Sequence, residues 1–203
     1  MTDVHTIVVG AGVVGLAIGR AEAMAGGDVM ILEAADRFGA ATSSRNSEVL
    51  HAGIFHPPDT LKTRLCVAGR RALERYCAER GVPYRRCGKL LVATDAEEVA
   101  LLRTYVARTQ ANGFGPDEAL IPLSADEAHT LEPALRCSAA WLSPATGIVD
   151  TQALMRALLA DAEAHGAVIA YRAPVVGAER TDDGFRVATG GATPTEIQCR
   201  RLV

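Results

Sequence analysis

The sequence predicts an α/β fold that begins with a strand, a helix and a second strand. A β-branched run at 6–9 (TIVV) ends at Gly10, and an apolar, alanine-rich segment over 13–25 follows it. Two glycines at 26–27 stop that helix, and a second apolar run occupies 29–32. This order favours two parallel strands joined by a crossover helix, which is the basic unit of an α/β sheet.

A long amphipathic helix is predicted over 60–80. Asp59 is its expected N-cap, and Gly81 lies just past its end. Its apolar residues recur at helical spacing, which predicts one core-facing side. That side is expected to consist of Leu61, Leu65, Ala68, Ala72, Leu73 and Tyr76.

Three more helices are predicted further along the chain. Thr94–Glu97 has the spacing of a capping box and precedes a helix that we expect to stop near Gly113. Ser124–Glu127 has the same spacing and opens a short helix that ends before Pro133. The last helix covers 151–165, with Leu154, Leu158 and Ala162 on its apolar face.

The remaining apolar runs predict short strands. The predicted strands lie at 89–93, 139–142, 168–171, 175–179, 185–188 and 197–203, and turn residues occupy 182–184 and 190–191. The order of elements predicts a main domain that is discontinuous in sequence. Its first part is 1–85 and its second part is 146–203, while 86–145 forms an inserted α+β domain.

Composition excludes several classes of protein. A net charge of −3 over 203 residues, with basic residues spread along the chain, argues against a nucleic-acid-binding protein. Five widely spaced cysteines give neither a zinc motif nor a disulfide framework, which fits a reducing compartment. The start lacks a secretory signal, and no uncharged run is long enough to span a membrane. We therefore expect a cytoplasmic protein, with contact to the inner face of a membrane left open.

The glycine motif Gly10-Ala11-Gly12-Val13-Val14-Gly15 predicts a dinucleotide site. It follows a predicted strand and opens a predicted helix, and Glu33 ends the next strand eighteen residues beyond Gly15. Free N–H groups and the partial positive charge of the helix N-terminus suit a pyrophosphate. A ribose hydroxyl bound to Glu33 would contribute about 1.5–3 kcal/mol. The motif alone does not separate NAD from FAD, and its glycines would also serve a simple tight turn.

A second polar segment, 43–55 (SSRNSEVLHAGIF), favours FAD over NAD. A nicotinamide dehydrogenase would more often continue directly into a third strand–helix unit. Here a loop rich in hydroxyl, amide and backbone groups precedes the long helix. Such a loop suits the polar edges of an isoalloxazine ring and the hydroxyls of a ribityl chain.

These residues resemble the FAD-dependent oxidoreductases of the D-amino-acid oxidase superfamily, and within it the L-2-hydroxyglutarate dehydrogenase/oxidase group. The resemblance runs along essentially the whole chain, and its most specific parts are the runs N-S-x-V-x-H-A-G from Asn46 and C-G-K-L from Cys87. The further matching segments are Thr42–Ser47, Val49–Ile54, Leu61-Lys62, Leu65-Cys66, Leu131–Pro133 and Gly147–Asp150.

The resemblance implies a Rossmann-like FAD-binding domain of the glutathione-reductase type with an inserted substrate domain. It implies hydride transfer from an L-2-hydroxy acid, such as L-2-hydroxyglutarate, to flavin N5, with oxygen, a quinone or a carrier protein as the electron acceptor. The implied FAD-binding residues are Gly10, Gly12, Val14, Gly15, Glu33, Ala34, Thr42, Ser43, Arg45, Asn46, Ser47 and the backbone of Val175. The implied catalytic residues are His51, beside the flavin ring, and Lys89, on a substrate carboxylate.

Simpler interpretations of these residues stay open. His51 also fits a hydrogen-bonded core histidine, and Lys89 fits a solvated lysine at a strand edge. Arg45 is equally suited to a pyrophosphate and to pairing with Glu48. A metal site at His51 and His56 is not expected, because their spacing lacks the H-E-x-x-H pattern and no third ligand is near.

The chain departs from the family pattern in two respects. Where members read Gly-Ile-Tyr-Tyr, this chain has Gly53-Ile54-Phe55-His56, which bears on substrate choice. The strand ending at Val203 leads, in the family, into a second glycine motif, so we expect an N-terminal part of a longer chain. The alternatives are a flavin amine or amino-acid oxidase, a glycerol-3-phosphate dehydrogenase, a nicotinamide-dependent reductase, and a non-catalytic truncated chain.

Overall fold

The computed structural model describes residues 2–203 and divides the chain into two compact units. Unit 1 contains the residues up to Ser47 together with Thr151–Val203, and unit 2 contains Glu48–Asp150. Unit 2 therefore includes the long helix that follows Asp59, whereas the sequence led us to begin the inserted part near residue 86. The helix belongs to unit 2 because its buried charged residues pair within that unit, as described below.

The secondary structure contains twelve strands and five α-helices in the described part of the chain. The strands are β1 (Val4–Val9), β2 (Val29–Leu32), β3 (Val49–Leu50), β4 (Tyr84–Arg85), β5 (Lys89–Ala93), β6 (Ile121–Leu123), β7 (Ala139–Ser143), β8 (Gly147–Val149), β9 (Val168–Ala170), β10 (Val175–Thr181), β11 (Gly184–Thr189) and β12 (Thr195–Leu202). The helices are α1 (Val13–Met24), α2 (Leu61–Arg80), α3 (Ala96–Ala111), α4 (Ala125–Leu131) and α5 (Thr151–Ala164), and Thr42–Ser44 forms a single 3₁₀ turn.

Unit 1 is built on a six-stranded mixed sheet in the order β10-β11-β12-β1-β2-β9. Strands β12, β1, β2 and β9 are parallel, and β10, β11 and β12 are joined antiparallel. Ile7 on β1 and Ile31 on β2, the two inner strands of the parallel part of the sheet, are fully buried, as expected for strands that are covered on both faces. The predicted α/β fold is confirmed, including the hairpin turn at 182–184.

Helix α1 packs closely against the sheet and against α5. Gly19 permits the approach, because a Cβ there would lie 2.6 Å from Ile31 Cδ1. The guanidinium of Arg20 donates to Asp161 on α5 at 2.7 Å. Leu154, Leu158 and Ala162 are buried, so the predicted apolar face of α5 is confirmed.

Unit 2 contains two small antiparallel sheets. One has the order β3-β8-β4 and the other β5-β7-β6. In the second sheet Lys89 pairs with Ser143 and Leu91 with Trp141. Its apolar core gathers Leu91, Leu102 and Leu120 with Ile54 from the segment that follows β3.

The core-facing side predicted for α2 is wrong. Leu61 and Leu65 are 62% and 61% exposed, Ala68 and Ala72 are also exposed, and Leu73 and Tyr76 are only half-buried. The buried residues are instead Thr63, Val67, Arg70, Glu74 and Cys77. Hydropathy alone missed this side because two of its members are charged residues that are buried by pairing with each other.

Two predicted helix starts also shift by one residue. The N-cap of α2 is Thr60, whose hydroxyl accepts from Thr63 N, whereas Asp59 has a positive φ of 62°. Helix α3 is capped by Asp95, which accepts from Glu98 N at 2.9 Å, so the box predicted at Thr94–Glu97 is displaced. The box at Ser124 and Glu127 is confirmed in both of its hydrogen bonds.

A buried ion cluster ties α2 to the loop between α3 and β6. Arg70, which is 2% exposed, donates to Glu118, and Arg71 donates to both oxygens of the same carboxylate. Glu74 accepts from Arg70 and from Arg86 Nε at 2.8 Å. The bonds from Arg71, and then those from Arg70, lower the pKa of Glu118 to about 2 against the opposing effect of burial.

We expect Glu118→Gln to lower the free energy of unfolding by about 3 kcal/mol, because it removes the charge that balances a buried guanidinium. The folded-state pKa lies below the unfolded value of 4.5, so this stabilisation is present above pH 4.5 and is lost as the pH falls toward 2. Urea unfolding at pH 7 and pH 3 measures it. The exposed Glu79→Gln on α2 is the control and should change stability by less than about 0.5 kcal/mol. Equal stability of wild type and Glu118→Gln at pH 7 would contradict the account.

Candidate functional site

The glycine motif of unit 1 forms a turn that brings the start of α1 against the end of β1. Gly10 has a φ of +96°, a conformation that favours glycine, and its N–H donates to Leu32 O at 2.7 Å. A Cβ on Gly15 would lie 1.9 Å from the carbonyl oxygen of Gly10, so only glycine allows this approach of helix and turn. A Cβ on Gly12 would lie 3.0 Å from Ser43 Oγ.

The backbone N–H groups in the first turn of α1 have no side-chain acceptor from the helix itself. Its N-cap Gly12 has no side chain to cap the helix, and no acidic residue lies in the first turn. Ser43 Oγ accepts from Val13 N at 3.0 Å, which holds the 42–47 segment at this helix end. An external anion would therefore meet no competing carboxylate from the helix itself.

Glu33 is held firmly at the end of β2. Its two carboxylate oxygens accept from Ala11 N at 2.7 Å and from Ala35 N at 2.8 Å. A carboxylate has about four acceptor positions, so both oxygens keep capacity for ribose hydroxyls. The structure thus fixes the carboxylate directly beside the glycine turn through the bond to Ala11.

The segment that precedes β10 joins the same region. Ala173 N donates to Glu33 O and Arg172 N donates to Ala35 O, each at 2.9 Å. Ala173 is thereby hydrogen-bonded to Glu33, the residue that follows β2, and Val175 lies two residues further along the chain. The structure therefore gathers the predicted glycines, Glu33, Ser43 and the start of β10 in unit 1.

The other predicted cofactor residues are accessible to solvent. Arg45 N donates to Thr42 O at 3.0 Å and closes the 3₁₀ turn, and Asn46 Nδ2 donates to Ser43 O at 2.8 Å. The remaining ones, Val14, Ala34, Thr42, Arg45 and Ser47, are exposed. A close-approach glycine turn, an open helix N-terminus and a fixed carboxylate fit the adenosine diphosphate part of a dinucleotide.

Unit 2 contains a cavity of about 290 Å³. Its lining is His51, Ala52, Gly53, Ile54, Phe55, His56, Lys62, Cys66, Lys89 and Thr146. Both predicted catalytic residues, His51 and Lys89, are among them. Four of the lining side chains are basic and none is acidic, so the cavity favours an anionic ligand.

His51 is suited to accept a proton. Partial burial, followed by the positive charges of Lys89 and His56, lowers the pKa of His51 below its ordinary value of 6.5. The imidazole is therefore neutral at pH 7, which a general base requires. Its backbone carbonyl lies 3.7 Å from Cys66 Sγ on α2, which links the loop to that helix.

Lys89 is positioned by aromatic contacts. Its Nζ lies 5.5 Å from the centre of the Phe55 ring, within the range of a cation–π interaction. Phe55 meets the edge of Tyr105 at a ring distance of 5.2 Å, and Arg108 donates to Phe55 O at 3.2 Å. Helix α3 thereby fixes the ring on which Lys89 rests, and Phe55 occupies one of the two positions where the chain departs from the family pattern.

Sequence reasoning assigned no role to Lys62, Cys66 and Thr146 of this cavity. It considered His56 as a metal ligand, which it did not expect, and as part of a departure from the family pattern that bears on substrate choice. These residues lie on different elements of unit 2, so spacing alone gave no sign of their convergence. The match at Leu61-Lys62 and Leu65-Cys66 was the one signal that pointed to two of them. Among residues 2–203, no group of three His, Cys, Asp or Glu side chains is arranged to hold a metal ion.

A family model described as "FAD dependent oxidoreductase" matches residues 5–203. The chain belongs to this family. The match confirms the predicted cofactor, FAD, and it agrees with the gathered glycine motif and Glu33 described above.

Curated relatives of this family resemble the chain over most of its length. A mitochondrial L-2-hydroxyglutarate dehydrogenase of Arabidopsis thaliana is 47% identical over 77% of this chain and 32% of its own. The L-2-hydroxyglutarate dehydrogenase of Escherichia coli K12 is 30% identical over 97% of this chain and 47% of its own. The chain thus spans less than half the length of these relatives.

Solved structures show the same fold. An L-α-glycerophosphate oxidase from Mycoplasma pneumoniae with FAD bound superposes with a TM-score of 0.90 at 24% identity, over 98% of this chain and 53% of that protein.

Within residues 2–203, no helix has the length and apolar composition needed to cross a bilayer.

Proposed function

We propose that the protein takes part in the FAD-dependent oxidation of an L-2-hydroxy acid, with L-2-hydroxyglutarate as the substrate, to the 2-oxo acid. The observation that carries this proposal is the cavity of unit 2, where His51, whose pKa is lowered by partial burial and by the charge of Lys89, lies beside two lysines and no acidic side chain lines the wall. The printed names of the relatives support the choice of substrate.

In this proposal the cofactor is held by residues of unit 1. The N–H groups of the first turn of α1 bind the pyrophosphate, and Glu33 accepts from the hydroxyls of the adenosine ribose. The 42–47 segment, which Ser43 and Asn46 hold in a tight turn, supplies polar groups to the flavin part. Bound FAD supplies a two-electron acceptor for the hydride of the substrate.

Two of the four basic residues of the cavity, His51 and Lys89, have separate roles in this proposal. His51 takes the proton of the substrate hydroxyl, because its lowered pKa leaves Nδ1 or Nε2 free to accept at neutral pH. Lys89 pairs with the carboxylate next to the reacting carbon, and the Phe55 ring holds its ammonium in place. Ala52, Gly53 and Ile54 supply an apolar part of the cavity wall.

A substrate screen on the purified, FAD-loaded protein tests this function. Under anaerobic conditions L-2-hydroxyglutarate should remove the visible absorbance of oxidised flavin, and its D-isomer should not. Glycine, L-proline and glycerol 3-phosphate represent the oxidases and dehydrogenases of the same fold. Reduction by one of these and not by L-2-hydroxyglutarate would overturn the proposed substrate, and a protein reduced by none would overturn the proposed activity.

A further inference from the structure

The cavity of unit 2 contains a second lysine that the proposed reaction does not use. Lys62 reaches it from α2, and Lys89 reaches it from β5. Neither lysine forms an ion pair with a carboxylate in the part of the chain that the structure describes. Lys62 is exposed and Lys89 is half-buried, so both ammonium groups are accessible to an anionic ligand in the cavity.

The position of Lys62 in α2 strengthens the positive potential on its side of the cavity. It is the second residue of a twenty-residue helix whose first turn has no acidic side chain. The helix dipole therefore adds to the charge of the ammonium, and Asp59, which precedes the N-cap, does not line the cavity. His56 lines the same cavity, and its backbone carbonyl accepts from Asn112 Nδ2 at 3.3 Å, which ties this segment to the end of α3.

We propose that Lys62 determines specificity by binding the second anionic group of a dianionic ligand, while Lys89 binds the first. The inference rests on the proposed function, since it assigns the far carboxylate of the substrate to Lys62. It follows from the two lysines lying on separate elements of one cavity of about 290 Å³, a size that suits a small ligand rather than a polymer. A monoanionic 2-hydroxy acid would leave Lys62 unpaired and bind more weakly.

Calorimetric binding of the proposed product and of a monoanionic analogue to the FAD-loaded protein tests this assignment without any turnover. The probes are 2-oxoglutarate, a dianion, and 2-oxovalerate, a monoanion with the same number of carbons. Lys62→Met should raise the Kd of 2-oxoglutarate at least about tenfold, because one charge-assisted bond is lost. The Kd of 2-oxovalerate should stay within about twofold of the wild-type value. Lys62→Arg should recover most of the affinity for the dianion.

The control variant is Arg64→Met, which removes an exposed positive charge from the same turn of α2 outside the cavity lining. It should leave both affinities unchanged, and circular dichroism verifies that each variant is folded. The inference is overturned if Lys62→Met lowers the affinity for the two probes equally, or if it lowers the affinity for neither.

The failure of this inference is distinguishable from failure of the proposed function. Reduction of the wild-type flavin by L-2-hydroxyglutarate, with the same KM in Lys62→Met, overturns the role of Lys62 and leaves the function standing. Absence of reduction by every 2-hydroxy acid overturns the function and, with it, the assignment of a substrate carboxylate to Lys62. A KM for L-2-hydroxyglutarate raised at least about tenfold at unchanged kcat supports both.

Discussion

The Gly15→Ala variant is expected to lose FAD binding. The new methyl group would lie 1.9 Å from the carbonyl oxygen of Gly10, which is backbone and has no rotamer that relieves the contact. The first turn of α1 must then move away from the end of β1, and its N–H groups leave the position that a pyrophosphate requires. We expect no saturable FAD binding in a titration that follows flavin fluorescence.

Gly69→Ala is the matched control for that substitution. Gly69 lies in α2, and a Cβ there meets no atom within 4 Å. Since alanine favours helix over glycine by about 1 kcal/mol, the control should be slightly more stable than the wild type and bind FAD equally. A Gly15→Ala protein that binds FAD within twofold of the wild type would contradict the proposed role of the motif.

The His51→Ala variant is expected to lower kcat/KM for L-2-hydroxyglutarate by about 10² to 10⁴, which is the usual contribution of a general base. Affinity for FAD should not change, because the residues proposed to bind it lie in unit 1. Since the pKa of His51 lies below 6.5, the wild-type kcat/KM should fall only below that pH. This acid limb should be absent from the residual activity of the variant.

His129→Ala serves as the control for histidine removal. His129 lies in the last turn of α4 in the same unit and does not line the cavity. It should leave both the rate and the pH profile unchanged. Near-normal turnover by His51→Ala would remove the proposed role of His51, and an acid limb that persists in the variant would assign the titration to another group.

Local patterns were sufficient to predict most elements of the fold. In unit 1, β1 ends in the apolar run Ile7–Val9 and β2 is wholly apolar, and the apolar face of α5 follows simple helical spacing. The buried side of α2 was predicted wrongly because Arg70 and Glu74 are buried through partners at Glu118 and Arg86. Such burial depends on contacts between residues far apart in sequence, which a hydropathy pattern does not contain.

The candidate site also has one part that local sequence patterns predict and one part that depends on contacts between distant residues. The glycine motif and Glu33 form one short strand–helix–strand unit, so spacing alone placed them together, and the bond from Ala11 N to Glu33 bears this out geometrically. The cavity of unit 2 combines a loop at 51–56 with α2, β5 and Thr146. His51 and Lys89 entered through resemblance to the family, while the convergence of Lys62 and His56 on the same cavity required the folded chain.

The central claim is that unit 1 recognises the adenosine diphosphate part of FAD. It is tested most directly by titrating the purified, flavin-free protein with FAD and with FMN, which carries the same ring but lacks the adenosine. The account predicts saturable binding of FAD and much weaker binding of FMN, because FMN lacks the adenosine ribose assigned to Glu33 and one of the two phosphates assigned to the first turn of α1. Equal binding of the two flavins, or binding of NAD in place of either, would contradict it.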